Sequence, residues 1–233
     1  MGWFPNNIER KRNLAALIVG KQSVARSNRF KELRRRLRDL RKHMLPHTFS
    51  PTGDYTSRQQ DRARGYRLLA HAEIEAFMEE ISISAATRGV SEWVNTRKVS
   101  DCLFCLITHY HHGFAVDEID EEPPFGPSTR QKAKDGIKEV VNVAMQQYRK
   151  IHGDNHGVRE KNLLRLMLPI GIRKDDLDPL WITNLDSFGR RRGDLAHQAI
   201  GAQQAIDPRA ELQAIEDLLV GLEKLDGLVQ AVQ

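Results

Sequence analysis

Two cysteines, Cys102 and Cys105, in 233 residues are too few for a disulfide framework, and a reducing cytoplasm is the expected setting. No apolar run comes near the ~20 residues that a membrane-spanning helix needs. The opening stretch, MGWFPNNIERKRN, has neither the apolar core nor the small-residue cleavage pattern of a secretory signal. Convincing strand alternation is missing too, which points away from any sheet architecture. No internal repeat is visible. What remains is a chain with 40% hydrophobic residues, enough at this length for one packed domain or one domain with a sizeable appendage.

Its charge is uneven. The net charge is +5, but between Arg26 and Lys42 nine basic residues face only Glu32 and Asp39. Asp117, Glu118, Asp120, Glu121 and Glu122 reverse the balance within six positions. A local basic face suits a polyanion such as nucleic acid, although a helix face bathed in solvent has the same composition.

Helical periodicity runs nearly throughout. Phe30, Leu33, Leu37, Leu40 and Met44 follow a 3-4-3-4 spacing that puts one apolar seam on a basic helix, ended by Pro46, Pro51 and Gly53. A long helix is expected from about Arg58 to Ala86, its buried stripe marked by Leu69, Ile74, Phe77, Met78 and Ile81. A third should cover Ser91 to Tyr110, with His111 and His112 ending it before Gly113. Residues 113–128 read as an acidic loop rich in proline and glycine, of a length often reserved for function. A fourth helix is expected over Gln131–Ile151, then a turn at HGDNHG (152–157) and a short helix to Met167. Asp178-Pro179 and Asp207-Pro208 each mark a helix start. The expectation is an all-α bundle: a basic N-terminal helical segment (1–50) packed on a main domain (51–233) that ends in a C-terminal helix.

Chemistry concentrates in Arg190-Arg191-Arg192-Gly193-Asp194-Leu195-Ala196-His197. Guanidinium holds a fixed positive charge suited to phosphate, and imidazole moves a proton near neutral pH. Spacing alone means little, because 24 Arg and 9 His produce such pairs by chance. Roughly three are expected, and Arg38–His43, Arg41–His47, Arg64–His71 and Arg149–His156 are comparable. Context separates one case: the Arg192–His197 segment follows an amphipathic stretch, has a small polar element after the arginine, and has Leu-Ala before the histidine.

That combination resembles the HEPN superfamily of small helical proteins, whose ribonucleases carry an R-x4–6-H motif. Both Arg192 and Arg191 fit as the motif arginine. The segment Leu68-Leu69-Ala70-His71-Ala72-Glu73-Ile74-Glu75-Ala76-Phe77 resembles the family helix in which an acidic residue precedes an aromatic, and the nearest branch is RiboL-PSP HEPN. The resemblance implies a HEPN-like helical bundle with an extra N-terminal basic helix. It also implies a metal-independent endoribonuclease working as a homodimer with a composite active site, in a toxin or antiphage defence setting, with an antitoxin or defence-system protein as a possible partner. Arg192 and His197 would be catalytic and Asp194 would orient them. Arg190, Arg191, Arg34, Arg35 and Arg36 would grip RNA, and Glu75 would be a supporting acid. One HEPN branch is controlled by modification of a tyrosine two places after the histidine; that place here is Ala199.

Residues five apart on a regular helix point about 140° apart. Arg192 and His197 therefore converge either through a helix break at Gly193, with Asp194 restarting the helix as its cap, or by two copies meeting across a two-fold axis. Cys102, Cys105 and His109 share a helical face, but no second ligand pair stands at structural-zinc spacing. Their apolar neighbours make the cysteines small hydrophobes, and no metal or cofactor is expected. A non-catalytic module that binds RNA or protein through the basic helix is the rival reading, and a purely structural helical adaptor is a weaker third.

Overall fold

A computed structural model of the chain describes residues 26–110, 127–197 and 205–232. The described residues contain no strand; they form helices α1 (Asn28–Met44), α2 (Ser57–Thr96), α3 (Asp101–Tyr110), α4 (Pro127–Gly153), α5 (Glu160–Met167), α6 (Pro179–His197) and α7 (Pro208–Ala231). Short 3-10 turns at Leu168–Ile170 and Lys174–Asp176 link α5 to α6. Residues 113–126 of the expected acidic loop, together with His111 and His112, lie outside the described residues; Pro127 and Ser128 open α4.

The single-faced helices follow the sequence reading. Phe30, Leu33, Leu37 and Leu40 of α1 are buried against α2 and α7. The same 3-4-3-4 rhythm recurs on α7 as Ile215, Leu218, Leu222, Leu225 and Val229. Each such side chain contributes roughly 1.5–3 kcal/mol on burial. The start of α1 is tied to α7 by a buried carboxylate. Ser27 caps α1 by accepting from the Phe30 N–H at 3.0 Å. The Ser27 hydroxyl and N–H in turn donate to Asp226 at 2.6 and 2.9 Å. Arg67 of α2 and Glu211 of α7 form a second buried tie, two-pronged, with Nε to Oε2 at 2.7 Å.

The long helix α2 crosses the whole core, about 60 Å from end to end. It opens with a capping box in which the Gln59 N–H donates to Thr56 Oγ1 and the Thr56 N–H donates to Gln59 Oε1. Here the boundaries differ from expectation. The helix does not stop at Ala86 but runs to Thr96, and Arg97 ends it in the left-handed conformation at φ 62°. Gly89, inside the helix, is a point of close packing. A Cβ there would lie 3.0 Å from Ser100 Oγ and 3.5 Å from the Leu103 nitrogen, so its absence lets α3 fold back on α2. Leu69, expected in the stripe, is exposed, and Ala70 takes the buried place.

Helix α6 anchors on Trp181, Ile182, Leu185 and Phe188, and the Trp181 indole N–H donates to the Leu218 carbonyl at 3.0 Å. The ring lies flat on α7 where that helix has no side chain: a Cβ on Gly221 would sit 2.2 Å from Trp181 Nε1. Among the described residues, no helix is long and apolar enough to cross a membrane.

Alanine in place of glycine inside a helix ordinarily gains up to about 1 kcal/mol. Gly227, with nothing within 4 Å of a new Cβ, should follow that rule, and Gly227→Ala should raise the urea midpoint. Gly221→Ala should lower the midpoint, with a loss of stability of about 1–3 kcal/mol, because the rigid Trp181 ring has to move. Equal shifts of the same sign in the two variants would contradict this packing.

Candidate functional site

Helix α6 carries the arginines out of the core. Phe188 is its last buried large side chain, and Arg190, Arg191 and Arg192 follow it, all exposed. Arg190 is committed to Asp186 at 2.7 Å, one turn back. Asp186 also accepts from Arg159 at 3.1 Å and from the Glu160 N–H at 3.2 Å at the start of α5. Burial opposes ionisation of Asp186. The hydrogen bonds from Arg159, Arg190 and the Glu160 N–H outweigh it and hold the carboxyl below its ordinary pKa. Asp186 thus fastens α6 to the start of α5, and Gly189 permits the approach, since a Cβ there would meet Arg159 Cγ at 2.7 Å.

This docking brings Arg192 within electrostatic reach of α2. Its charge acts on both His71 and Glu75. His71 is buried, stacks on Phe188 (centroids 5.8 Å apart, planes at 28°), and lies 3.5 Å from Glu75 through Nδ1. Burial first, and the Arg192 cation second, push His71 down to a pKa of about 4, so its ring is neutral at pH 7. Glu75 shifts the other way. Burial and the neighbouring Glu79 raise it, while Arg192, a hydrogen bond from the Gly157 N–H and His156 pull it back.

His71, Glu75 and Glu79 stand four residues apart along α2 and form a polar stripe. The segment 152–157 closes over it. Buried Asn155 donates through Nδ2 to Glu79 Oε1 at 2.8 Å and to the Gly157 carbonyl at 3.2 Å. Asn162 of α5 donates to Asn155 Oδ1 at 3.0 Å, and His152 Nε2 lies 3.1 Å from the Glu79 carbonyl oxygen. Gly157 adopts φ 145°, which a side chain would strain.

Other expected residues lie elsewhere or outside view. Helix α6 is continuous from Pro179 to His197, so the break at Gly193 does not occur. A lone glycine costs a helix about 1 kcal/mol, too little to stop one whose other residues all tolerate the conformation. Asp194 is therefore not a helix cap, and the backbone directions at Arg192 and His197 stay about 140° apart. The side chains of Asp194 and His197, and Ala199 altogether, lie outside the described residues. On α1, Arg36 pairs with Glu73 at 3.0 Å, and Arg35 is exposed. Arg34 lines a groove of about 360 Å³ between α1 and α7, with Arg38, Arg41, Tyr66 and, on its other wall, Glu216. Positions 73 and 75 point about 200° apart on α2, so the α1 arginines fall on the side of that helix away from Arg192.

Cys102 is buried in α3, and desolvation, with Cys105 adding to it, pushes its thiol up to about 12. Among the described residues, no group of three or more His, Cys, Asp or Glu is arranged to hold a metal ion. His71, Glu79, Asn155 and His156 escaped the sequence reading as site residues. The four-residue spacing of 71, 75 and 79 was the available signal, while 152–157 offered only turn chemistry.

Comparison with known families adds one finding. The profile of the family described as RiboL-PSP-HEPN matches residues 31–231, most of the chain. No curated protein and no solved structure matches it.

The buried imidazole makes a pH prediction. Unfolded His71 takes up a proton as the pH falls through about 6.5, whereas folded His71 resists until about 4. Its contribution to stability is therefore intact above pH 6.5 and drains away between 6.5 and 4, by up to about 3 kcal/mol. His71→Phe keeps the ring on Phe188 and removes the proton site. Urea melts of the two proteins should diverge in pH dependence across that window, the variant's curve being flatter; parallel curves would contradict the assignment.

Proposed function

Because this chain belongs to the RiboL-PSP branch of the HEPN superfamily, we propose that it is a metal-independent endoribonuclease that cleaves RNA by 2′-hydroxyl transesterification. HEPN domains are generally ribonucleases, and RNA binding and dimerisation are common among them. The observation that carries the reading in this chain is that α6 docks on α2 so that the Arg192 cation, at the helix end that holds the motif, acts electrostatically on the partly buried Glu75 carboxylate.

In this reading His197 takes the proton from a ribose 2′-hydroxyl or supplies one to the leaving 5′-oxygen. Arg192 stabilises the charge of the pentacovalent phosphorus, and Asp194 orients either group. Glu75 supports Arg192 by holding its side chain. The products are a 2′,3′-cyclic phosphate and a 5′-hydroxyl. A continuous α6 favours the second route to convergence, in which Arg192 of one copy meets His197 of another in a homodimer with a composite site. Arg190 and Arg191 flank the path of the phosphate backbone. Arg34, Arg35 and Arg36, on the basic segment within residues 1–50, hold RNA that extends around the 51–233 domain. The biological setting is a cytoplasmic toxin or antiphage defence effector, restrained by an antitoxin or defence-system partner. The same unbroken helix also favours the rival reading, a non-catalytic RNA- or protein-binding module, because one chain alone does not bring its Arg192 and His197 together.

Purified chain, His197→Ala and Arg192→Ala, each incubated with total RNA in excess EDTA, decide between these readings. New 5′-hydroxyl ends should appear with the wild type and fall at least ~100-fold in both variants, with folding and dimerisation retained. RNA bound but never cut would support the binding module instead. Gly193→Ala, open to a new Cβ among the described residues, should keep both stability and cleavage if two copies form the site. Loss of cleavage in that variant would mean that the chain bends at Gly193 to act.

A further inference from the structure

Transesterification at a phosphodiester moves two protons: one leaves the attacking 2′-hydroxyl and one arrives on the departing 5′-oxygen. Each copy of the motif supplies one histidine, His197. A second imidazole, that of His156, acts on the same carboxylate as Arg192, Glu75 of α2. His156 is exposed at the tip of the 152–157 segment, between two residues that cannot shift freely. On one side, buried Asn155 is bonded to Glu79 of α2, to the Gly157 carbonyl and to Asn162 of α5. On the other, Gly157 has its N–H on Glu75 and its φ at 145°. Val158 and Arg159 then pack against Gly189 of α6, three residues before Arg192. The backbone at His156 is thus clamped by α2, α5 and α6 while the imidazole stays open to solvent.

We propose that His156 is the general acid of the ribonuclease reaction, donating a proton to the leaving 5′-oxygen beside Arg192. The inference rests on the ribonuclease reading above. In the step, the 2′-oxygen bonds to phosphorus as His197 accepts its proton. The bond from phosphorus to the 5′-oxygen breaks as the His156 imidazolium gives that oxygen its proton, and Arg192 offsets the charge on the non-bridging oxygens. Glu75, on which both His156 and Arg192 act, is the counter-charge in that step for an imidazolium and a guanidinium brought to one phosphate. The buried His71 ring, neutral at pH 7 and screened by Phe188, has no comparable access to a phosphate. Asn155 and Asn162 act as positioning residues, since they touch the turn and not the substrate.

A leaving group that needs no proton separates this role from a structural one. An oligoribonucleotide spanning a site cut by the wild type is made twice, once normally and once with sulfur replacing the bridging 5′-oxygen at the scissile link. His156→Ala should cut the normal strand at least ~100-fold more slowly than the wild type, with an unchanged melting temperature. It should cut the sulfur-bridged strand at nearly the wild-type rate, whereas Arg192→Ala stays slow on both. Undiminished cleavage of the normal strand by His156→Ala overturns the proposal, as does slow cleavage of the sulfur-bridged strand. No cleavage by the wild type overturns the ribonuclease reading and the role of His156 with it.

Discussion

A forty-residue helix met by neighbours from several directions cannot follow the usual division into one buried and one solvated face. Helix α2 solves this with more than one stripe. Ala63, Tyr66, Ala70, Ile74, Phe77, Ile81 and Ala85 form one, facing α1 and α7 over part of its length. Met78, Ser82, Ala86, Gly89 and Trp93 form another, toward α3 and its neighbours. On the same side as the second run, further toward the start of the helix, lies a polar line, His71, Glu75 and Glu79, where carboxylates are drawn partly out of water. Partly buried acids need partners to offset their lost hydration. Asn155, the Gly157 N–H and Arg192 supply them, and the requirement locks α4, α5 and α6 to the middle of α2.

The electrostatics of the site follow from that lock. Glu75 and Glu79 repel each other, and burial adds to the cost of charging Glu75. A cation brought in on α6 relieves both. Burial makes protonation of His71 costly and the same cation adds to that, so one arginine lowers the pKa of both a carboxylate and an imidazole within a single turn of α2. Asp186 does the complementary work on the other side of α6. It occupies Arg190 and Arg159, while Arg192 is the arginine of the triplet whose charge acts on the stripe.

Single-faced elements were legible before any fold was known. The 3-4-3-4 seam of α1 reads directly as a buried edge because nearly everything else on that helix is charged. The starts of α6 and α7 announce themselves through Asp-Pro, where proline fits the first turn and the aspartate caps it. Glycine at a helix end and glycine at a helix crossing look alike in sequence, and for Gly89 only the neighbour at Ser100 tells them apart. The true end of α2, at Arg97, carries no glycine and hence no signal. Gly193 illustrates the converse, a glycine in a run of helix formers that leaves the helix intact.

Composition and periodicity were enough to establish an all-helical chain, a basic first helix and a motif segment that resembles one family. Those properties are local: they depend on which residues recur every three or four positions and on which few fill one short segment. The effect of Arg192 on Glu75, the burial that neutralises His71 and the clamp on His156 are not local. They arise where α2, the 152–157 turn and α6 cross, and their energies come from desolvation and from charges on separate helices. No window of sequence contains either quantity, so the packing of three distant segments had to decide them.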